Sequence, residues 1–402
     1  MTQPAQATEP LNVLVIVTDD QRRSTHRPMP DATWFPNFFD TSPLCCPSRT
    51  SIMSGQYAHN HGVLTNVPRN HPFSLGAATL QSKLQSSGYT TGMFGKFLNA
   101  WPRDVDPPGF NQFAVLQGGS SPTGSGMYLD STWNMNSESV TTEGRYSTHV
   151  ISDKADSFIR SQTGPWYAYV APYAPHMPAI PSKKYQGTPV SPWNGNPAVP
   201  ADRLAAGQKV RRRQIRTLRS VYDMRARLVA TLRERGELDN TLILYLPDNG
   251  YQWGEHNYTA KGVPYDQSVR VGAYVRGAGF NGGTDRRYVA NIDVFPTVLK
   301  AVGVPYTRAD VDGRPLQTSS RSAMLLEYWG NVGSWNPWAS IRTPRFMYTE
   351  WDTGRREYYR MKTDPWQLHN LLGDGKPGNN PDVKWLHTWL NRASTCEGKA
   401  CP

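Results

Sequence analysis

The run Asn12-Val13-Leu14-Val15-Ile16-Val17-Thr18 sets the first constraint on the fold. It is short and almost wholly apolar, which suits a strand covered on both faces, as in a parallel sheet flanked by helices. It ends in Asp19-Asp20, which places two carboxylates at the carboxyl end of a strand, where ligand sites of open α/β sheets lie. The pattern repeats downstream. Ala77–Ser86 reads as a helix and Thr90–Gly95 as a strand leading to Lys96. Tyr146–Arg160 reads as a helix, and Trp166–Val170 as a buried strand leading to Ala174-Pro175-His176. A long helix from about Arg216 to Arg235 precedes the strand Thr241–Leu246, which delivers Pro247-Asp248-Asn249-Gly250. Helices alternating with apolar strands predict an α/β fold with a doubly wound sheet.

From Ile341 the pattern changes to an antiparallel hairpin, Arg345–Trp351 and Glu357–Met361, followed by a helix over roughly Pro381–Ala393. The expected division is a main α/β domain over residues 1–325 and a small α+β unit over 326–402. Two stretches resist secondary structure, Gln117–Gly144 (Gly, Ser, Thr and Asn) and Pro181–Pro200 (Pro). Both read as long surface loops lining a ligand cleft.

The chain has 402 residues, 43 of them Lys or Arg against 32 Asp or Glu, a formal charge of +11. That balance steers anionic partners at long range. No helix-turn-helix, zinc-finger or aromatic-basic RNA-binding pattern accompanies it, so nucleic acid is not the expected partner. The densest basic segment, Lys209–Arg219, opens the long helix and reads as a solvated helix face rather than a polyanion site. No run approaches the roughly 18 apolar residues of a membrane helix. The stretch Met1–Pro10 lacks a basic start and an apolar signal core, which taken literally reads as cytoplasmic. Cys396 and Cys401, close together in a polar tail, suit a small disulfide loop and an oxidising compartment. Secretion or periplasmic export with a leader already trimmed reconciles the two.

Three carboxylates and an amide oxygen, on Asp19, Asp20, Asp248 and Asn249, are hard ligands suited to Ca²⁺ or Mg²⁺ and not to zinc. Each pair alone reads as a helix cap or a turn. Both pairs ending apolar strands favours a shared metal site. The chain also carries Cys45-Cys46-Pro47-Ser48-Arg49, with Thr50–Ser54 and Gly55 behind it. A cysteine buried for packing needs no fixed neighbours; this one has a Pro, a Ser and an Arg at set offsets.

These residues resemble the type I, formylglycine-dependent sulfatases, and the resemblance spans most of the chain. The family's Asp-Asp pair after the first strand is matched by Asp19-Asp20, its Cys-x-Pro-Ser-Arg element by Cys45–Arg49 and its Gly-Lys pair by Gly95-Lys96. Its Pro-His-x-Pro element is matched by Pro175–Pro178, its Asp-Asn-Gly element by Asp248–Gly250, and its lysine ahead of a Tyr-acid pair by Lys261 before Tyr265-Asp266. Asp293-Val294-Phe295-Pro296-Thr297 and Thr363–Leu371 match structural phrases of the family.

The resemblance implies an alkaline-phosphatase-like mixed sheet, with the sulfatase catalytic domain over residues 1–325. It implies oxidation of Cys45 to formylglycine by a formylglycine-generating enzyme. The hydrated aldehyde would attack sulfur, expel the alcohol and then eliminate sulfate. Ca²⁺ or Mg²⁺, held by Asp19, Asp20, Asp248, Asn249 and residue 45, would neutralise charge together with Lys96 and Lys261. Arg49 would hold the nucleophile, His176 or Lys261 would protonate the leaving oxygen, and His256 would lie on the substrate side.

Two departures refine the expectation. Many arylsulfatases have a histidine where this chain has Leu98, followed by Asn99. With Cys46 and His59-Asn60-His61, this resembles the N-acetylglucosamine-6-sulfatase branch and points to a sulfated sugar. The interval from Asp20 to Cys45 is also short for the family's first helix. A phosphonate monoester or phosphodiester hydrolase of the same superfamily is the nearest alternative; a catalytically silent glycan-binding homologue is the other.

Overall fold

The computed structural model describes residues 10–66, 78–118, 125–330 and 335–402. The stretch Met1–Glu9, Ala77 at the start of one expected helix and residues 119–124 of one expected loop lie outside the described residues. The central sheet has nine strands. In spatial order they are Thr33–Phe35, Ala273–Arg276, Thr241–Pro247, Asn12–Thr18, Trp166–Ala171, Thr90–Gly95, Gln112–Gly118, Leu129–Met135 and Glu138–Tyr146. The five middle strands run parallel. The strands at both margins are antiparallel, so the sheet is mixed, as expected.

The alternation of side chains along Asn12–Thr18 builds both halves of the core. Val13, Val15 and Val17 pack towards Ile52, Leu80, Leu84 and Phe295 on one face. Leu14 and Ile16 pack towards Ile151, Val221 and Leu228 on the other. The helices Cys45–Ser54, Leu80–Ser86 and Val294–Val302 therefore cover one face, and Ser147–Ser161 and Ala201–Glu234 the other. Between the first strand and Cys45 there is a single 3₁₀ turn and two short strands, with no α-helix, as the short interval suggested.

Two expectations are corrected. Most of Gln117–Gly144 is not a loop: it contributes to a hairpin of Leu129–Met135 and Glu138–Tyr146 at the sheet margin. A margin strand of this kind needs few apolar residues, and the outer strand is mostly exposed. The long helix begins at Ala201 and runs 34 residues to Glu234, because the polar residues of its first half remain good helix formers. Pro181–Pro200 is irregular apart from one 3₁₀ turn, as read.

The small antiparallel sheet holds four strands, Met324–Tyr328, Trp338–Arg342, Phe346–Trp351 and Arg356–Arg360. The anticipated boundary at 325/326 falls inside its first strand, and the helix Val383–Ala393 packs on it. Cys396 and Cys401 form a disulfide. Arg321 and Asp293, both fully buried, are ion-paired, and Asp293 Oδ1 also accepts from Arg314 N at 2.7 Å. Arg321→Ala is expected to cost about 3–5 kcal/mol by leaving a buried carboxylate short of its partner. A lower urea midpoint at unchanged slope would report it.

Candidate active site

Strands Asn12–Thr18 and Thr241–Pro247 pair in register, with Thr18 opposite Pro247. Asp19-Asp20 and Asp248-Asn249 therefore leave the sheet side by side. Asp248 N donates to Thr18 O at 2.9 Å, and Asp20 N to Asp248 Oδ1 at 3.1 Å. Asp20 sits in the left-handed backbone region, φ 64°, a conformation uncommon outside glycine and concentrated at functional sites. Two strands away, Thr90–Gly95 delivers Lys96. Gly95 has φ 116°, and a Cβ there would lie 2.1 Å from the Ala171 carbonyl oxygen. Only glycine lets the chain pass its neighbour so closely before Lys96 turns in. Lys96 Nζ then bonds Asp19 Oδ2 at 2.5 Å.

Cys45 is the first residue of the helix Cys45–Ser54, whose first turn carries no acidic residue. The partial positive charge of the helix start thus lies at the sulfur. Sγ is 3.6 Å from Asp19 Oδ1 and 2.9 Å from Lys261 Nζ. One turn on, the fully buried Arg49 donates from Nε to Asp248 Oδ2 at 2.9 Å and from Nη1 to the Lys96 carbonyl at 2.7 Å. Lys261 Nζ also donates to Asp20 Oδ1, which accepts from Asn249 Nδ2 at 2.6 Å. His176 Nδ1 is 2.7 Å from the Met177 carbonyl. A carbonyl only accepts, so Nδ1 carries the hydrogen and Nε2, 3.6 Å from Asp20 Oδ2, is the atom free to take up or release a proton.

Burial alone would raise the Asp19 carboxyl, but Lys96, His176, Lys261 and Arg49 outweigh it and hold the group well below the usual range. Burial lowers His176 against the pull of Asp20 and Asp19. Burial also works against the Lys261 ammonium, yet Asp20 and the other nearby anionic groups hold it firmly protonated. The Cys45 thiol is pushed up by burial and then by Asp19. An unmodified Cys45 is thus held as the thiol, a weak nucleophile.

The donors Asp19, Asp20 and Asp248 with the buried Asn249 Oδ1, which accepts no hydrogen bond, fit a hard divalent ion. Atoms of Asp19, Asp20, Cys45 and His176 all lie within 4.8 Å of one another. Nine of the ten residues named from the sequence are joined in this cluster. His256 stands apart. It stacks on Tyr265 at 3.8 Å, and burial lowers its basicity, with Glu255 and Asp364 among its charged neighbours.

The sequence reading missed four residues. The Tyr173 ring lies 4.6 Å from His176 and 5.4 Å from Lys96 Nζ. Ser48 Oγ donates to the Asp248 carbonyl and accepts from Asn291 Nδ2 at 3.0 Å. Asp40 is fully buried, its carboxyl raised by burial and then by Asp248. Ser48 lay within the recognised element, and Asn291 stands two residues before Asp293. Asp40 and Tyr173 carried no spacing signal.

Residues 12–304 match the family model described as Sulfatase. The chain belongs to the sulfatase family. It is a sulfuric ester hydrolase by that membership. The human N-acetylglucosamine-6-sulfatase is 28% identical to this sulfatase over 81% of this chain and 68% of that protein. Among solved structures, one described in complex with its substrate D-glucosamine-2-N,6-O-disulfate superposes with TM-score 0.79 at 22% identity, covering 96% of this chain and 97% of that one. The phosphonate monoester hydrolase of Agrobacterium radiobacter gives 0.71 at 19% identity, covering 95% of each chain. The alkaline-phosphatase-like fold is common to both, and fold alone does not separate sulfate from phosphonate chemistry. Among the described residues, no helix is long and apolar enough to cross a membrane.

Proposed function

We propose that this sulfatase hydrolyses a sulfate monoester on a sulfated sugar, using formylglycine generated from Cys45 and a divalent cation, Ca²⁺ or Mg²⁺. The observation that carries the reading is the seat of Cys45 at a helix start, between Asp19 and Lys261. Hydrated formylglycine supplies an oxygen nucleophile and, once sulfate is transferred, a second hydroxyl whose deprotonation expels it. The cation supplies charge neutralisation at the sulfuryl oxygens, held by Asp19, Asp20, Asp248 and Asn249.

The chain's own groups do the rest. Arg49 fixes Asp248 and the Lys96 backbone, and so the geometry around residue 45. Lys96 and Lys261 present ammonium groups to the anionic ester. Lys261, kept protonated by its anionic neighbours, is one candidate proton donor for the leaving oxygen. His176 Nε2 faces the same side and serves once protonated. The Cys396–Cys401 disulfide supports maturation in an oxidising compartment, consistent with export.

The test has three arms. Peptide mass spectrometry across residue 45, after co-expression with a formylglycine-generating enzyme, is expected to find the aldehyde. A panel of glucosamine 6-sulfate, aryl sulfate and aryl phosphonate esters is expected to be turned over in favour of the sugar sulfate. Chelation is expected to abolish turnover and Ca²⁺ to restore it. A thiol at 45 with no sulfate released from any ester would support a silent glycan-binding protein, and preference for the phosphonate would reassign the substrate.

A further inference from the structure

The two halves of the helix Ala201–Glu234 treat their positive charges differently. Near its C-terminal end, Arg227 pairs with Asp153 and with Asp156 at 2.9 Å, and Arg235, just beyond, pairs with Glu237 at 2.5 Å. From Lys209 to Arg219 the helix carries Lys209, Arg211, Arg212, Arg213, Arg216 and Arg219 with no acidic residue among them. Among the described residues, none of these six is ion-paired to a carboxylate. Three are tied instead to the adjoining loop: Arg211 Nη1 donates to Ser191 O at 2.8 Å, Arg216 Nε to Thr188 O at 2.9 Å and Arg219 Nη2 to Pro189 O at 3.5 Å. A carbonyl positions a guanidinium without cancelling its charge.

Lys209, Arg212 and Arg213 are exposed, and Lys209, Arg212, Arg216 and Arg219 follow one another at helical spacings of three and four, along one face. Arg211 and Arg22 both lie over the Trp253 ring, 5.9 and 4.0 Å from its centre; Arg22, two residues after Asp20, is buried and ion-paired with Glu255 at 2.7 Å, so the uncompensated charge is that of the helix.

We propose that the Lys209–Arg219 ridge is a docking surface for a sulfated polysaccharide, binding the chain outside the residue that loses its sulfate. This rests on the sulfated-sugar reading for the choice of ligand, and it replaces the solvated-face expectation for this segment. A flexible polyanion gains from a row of fixed, uncompensated cations through release of its counterions, so the interaction weakens steeply with salt.

Fluorescent dextran sulfate is the binding probe, with neutral dextran as comparator. Lys209→Ser/Arg212→Ser/Arg213→Ser is expected to weaken dextran sulfate binding about tenfold at low salt and to flatten its dependence on salt. Lys154→Ser/Lys384→Ser/Arg392→Ser removes the same charge from exposed sites elsewhere and is expected to bind within about twofold of the parent. Turnover of a small aryl sulfate is expected to be equal in all three proteins. Equal loss of binding in the two variants, or no loss in the first, would overturn the proposal. So would binding by the unaltered protein that ignores salt or that neutral dextran matches. Failure of the hydrolytic reading appears separately, as no sulfate release from any small ester, while the binding comparison still reads out.

Discussion

Cys45→Ser is expected to release one equivalent of alcohol from an aryl sulfate and then stop. A serine hydroxyl occupies nearly the volume of the thiol and retains the neighbours seen here, Asp19 Oδ1 and Lys261 Nζ. It can accept the sulfuryl group, but it has no second hydroxyl through which to expel sulfate. Steady-state turnover should fall by roughly 10⁴-fold or more, the scale seen when a catalytic nucleophile is lost. The decisive measurement is the mass of the peptide containing residue 45 after a single exposure to substrate. Sulfate retained on the introduced serine fits the two-hydroxyl mechanism, whereas continued turnover by this variant would exclude it.

The second large effect is expected from Lys261→Ala. Its ammonium touches Asp20 and the sulfur of Cys45, and Asp20 with the neighbouring anionic groups keeps it charged against the effect of burial. If that charge is used on the developing leaving group, kcat should fall by about 10²–10³-fold. Lys261→Arg keeps the charge but spreads it over a planar fork, so it should recover binding more than rate. A rise in KM alone, with kcat unchanged, would reduce Lys261 to a ground-state binding group. Asp20 keeps Asn249 Nδ2 at 2.6 Å as a partner, so the alanine variant should remain folded and the rate remain interpretable.

The residues that cluster here were legible in the sequence because they sit where strands end. Asp19, Asp20, Lys96, Asp248 and Asn249 each follow an apolar run, and a parallel sheet brings such ends to one edge. The parts that escaped have a different physical origin. Ser48 and Asn291 act through tertiary hydrogen bonds that no periodicity records. The margin hairpin reads as a loop because its outward faces need no apolar residues. His256, expected on the substrate side, packs against Tyr265 with a positive-φ backbone (φ 54°).

The burial of Cys45 has a bearing on the order of events in biosynthesis. Its side chain is 0% exposed, and the groups that enclose it, Asp248 and Lys261, are encoded about two hundred residues downstream. A modifying enzyme that must grip the segment around Cys45 cannot reach it once the strand Thr241–Pro247 has docked beside Asn12–Thr18. On the formylglycine reading proposed above, conversion would belong to the interval before the strand Thr241–Pro247 docks, while the sheet is still open. Fast closure of the sheet would compete with activation, and a fully folded thiol form would be a dead end that only unfolding could rescue.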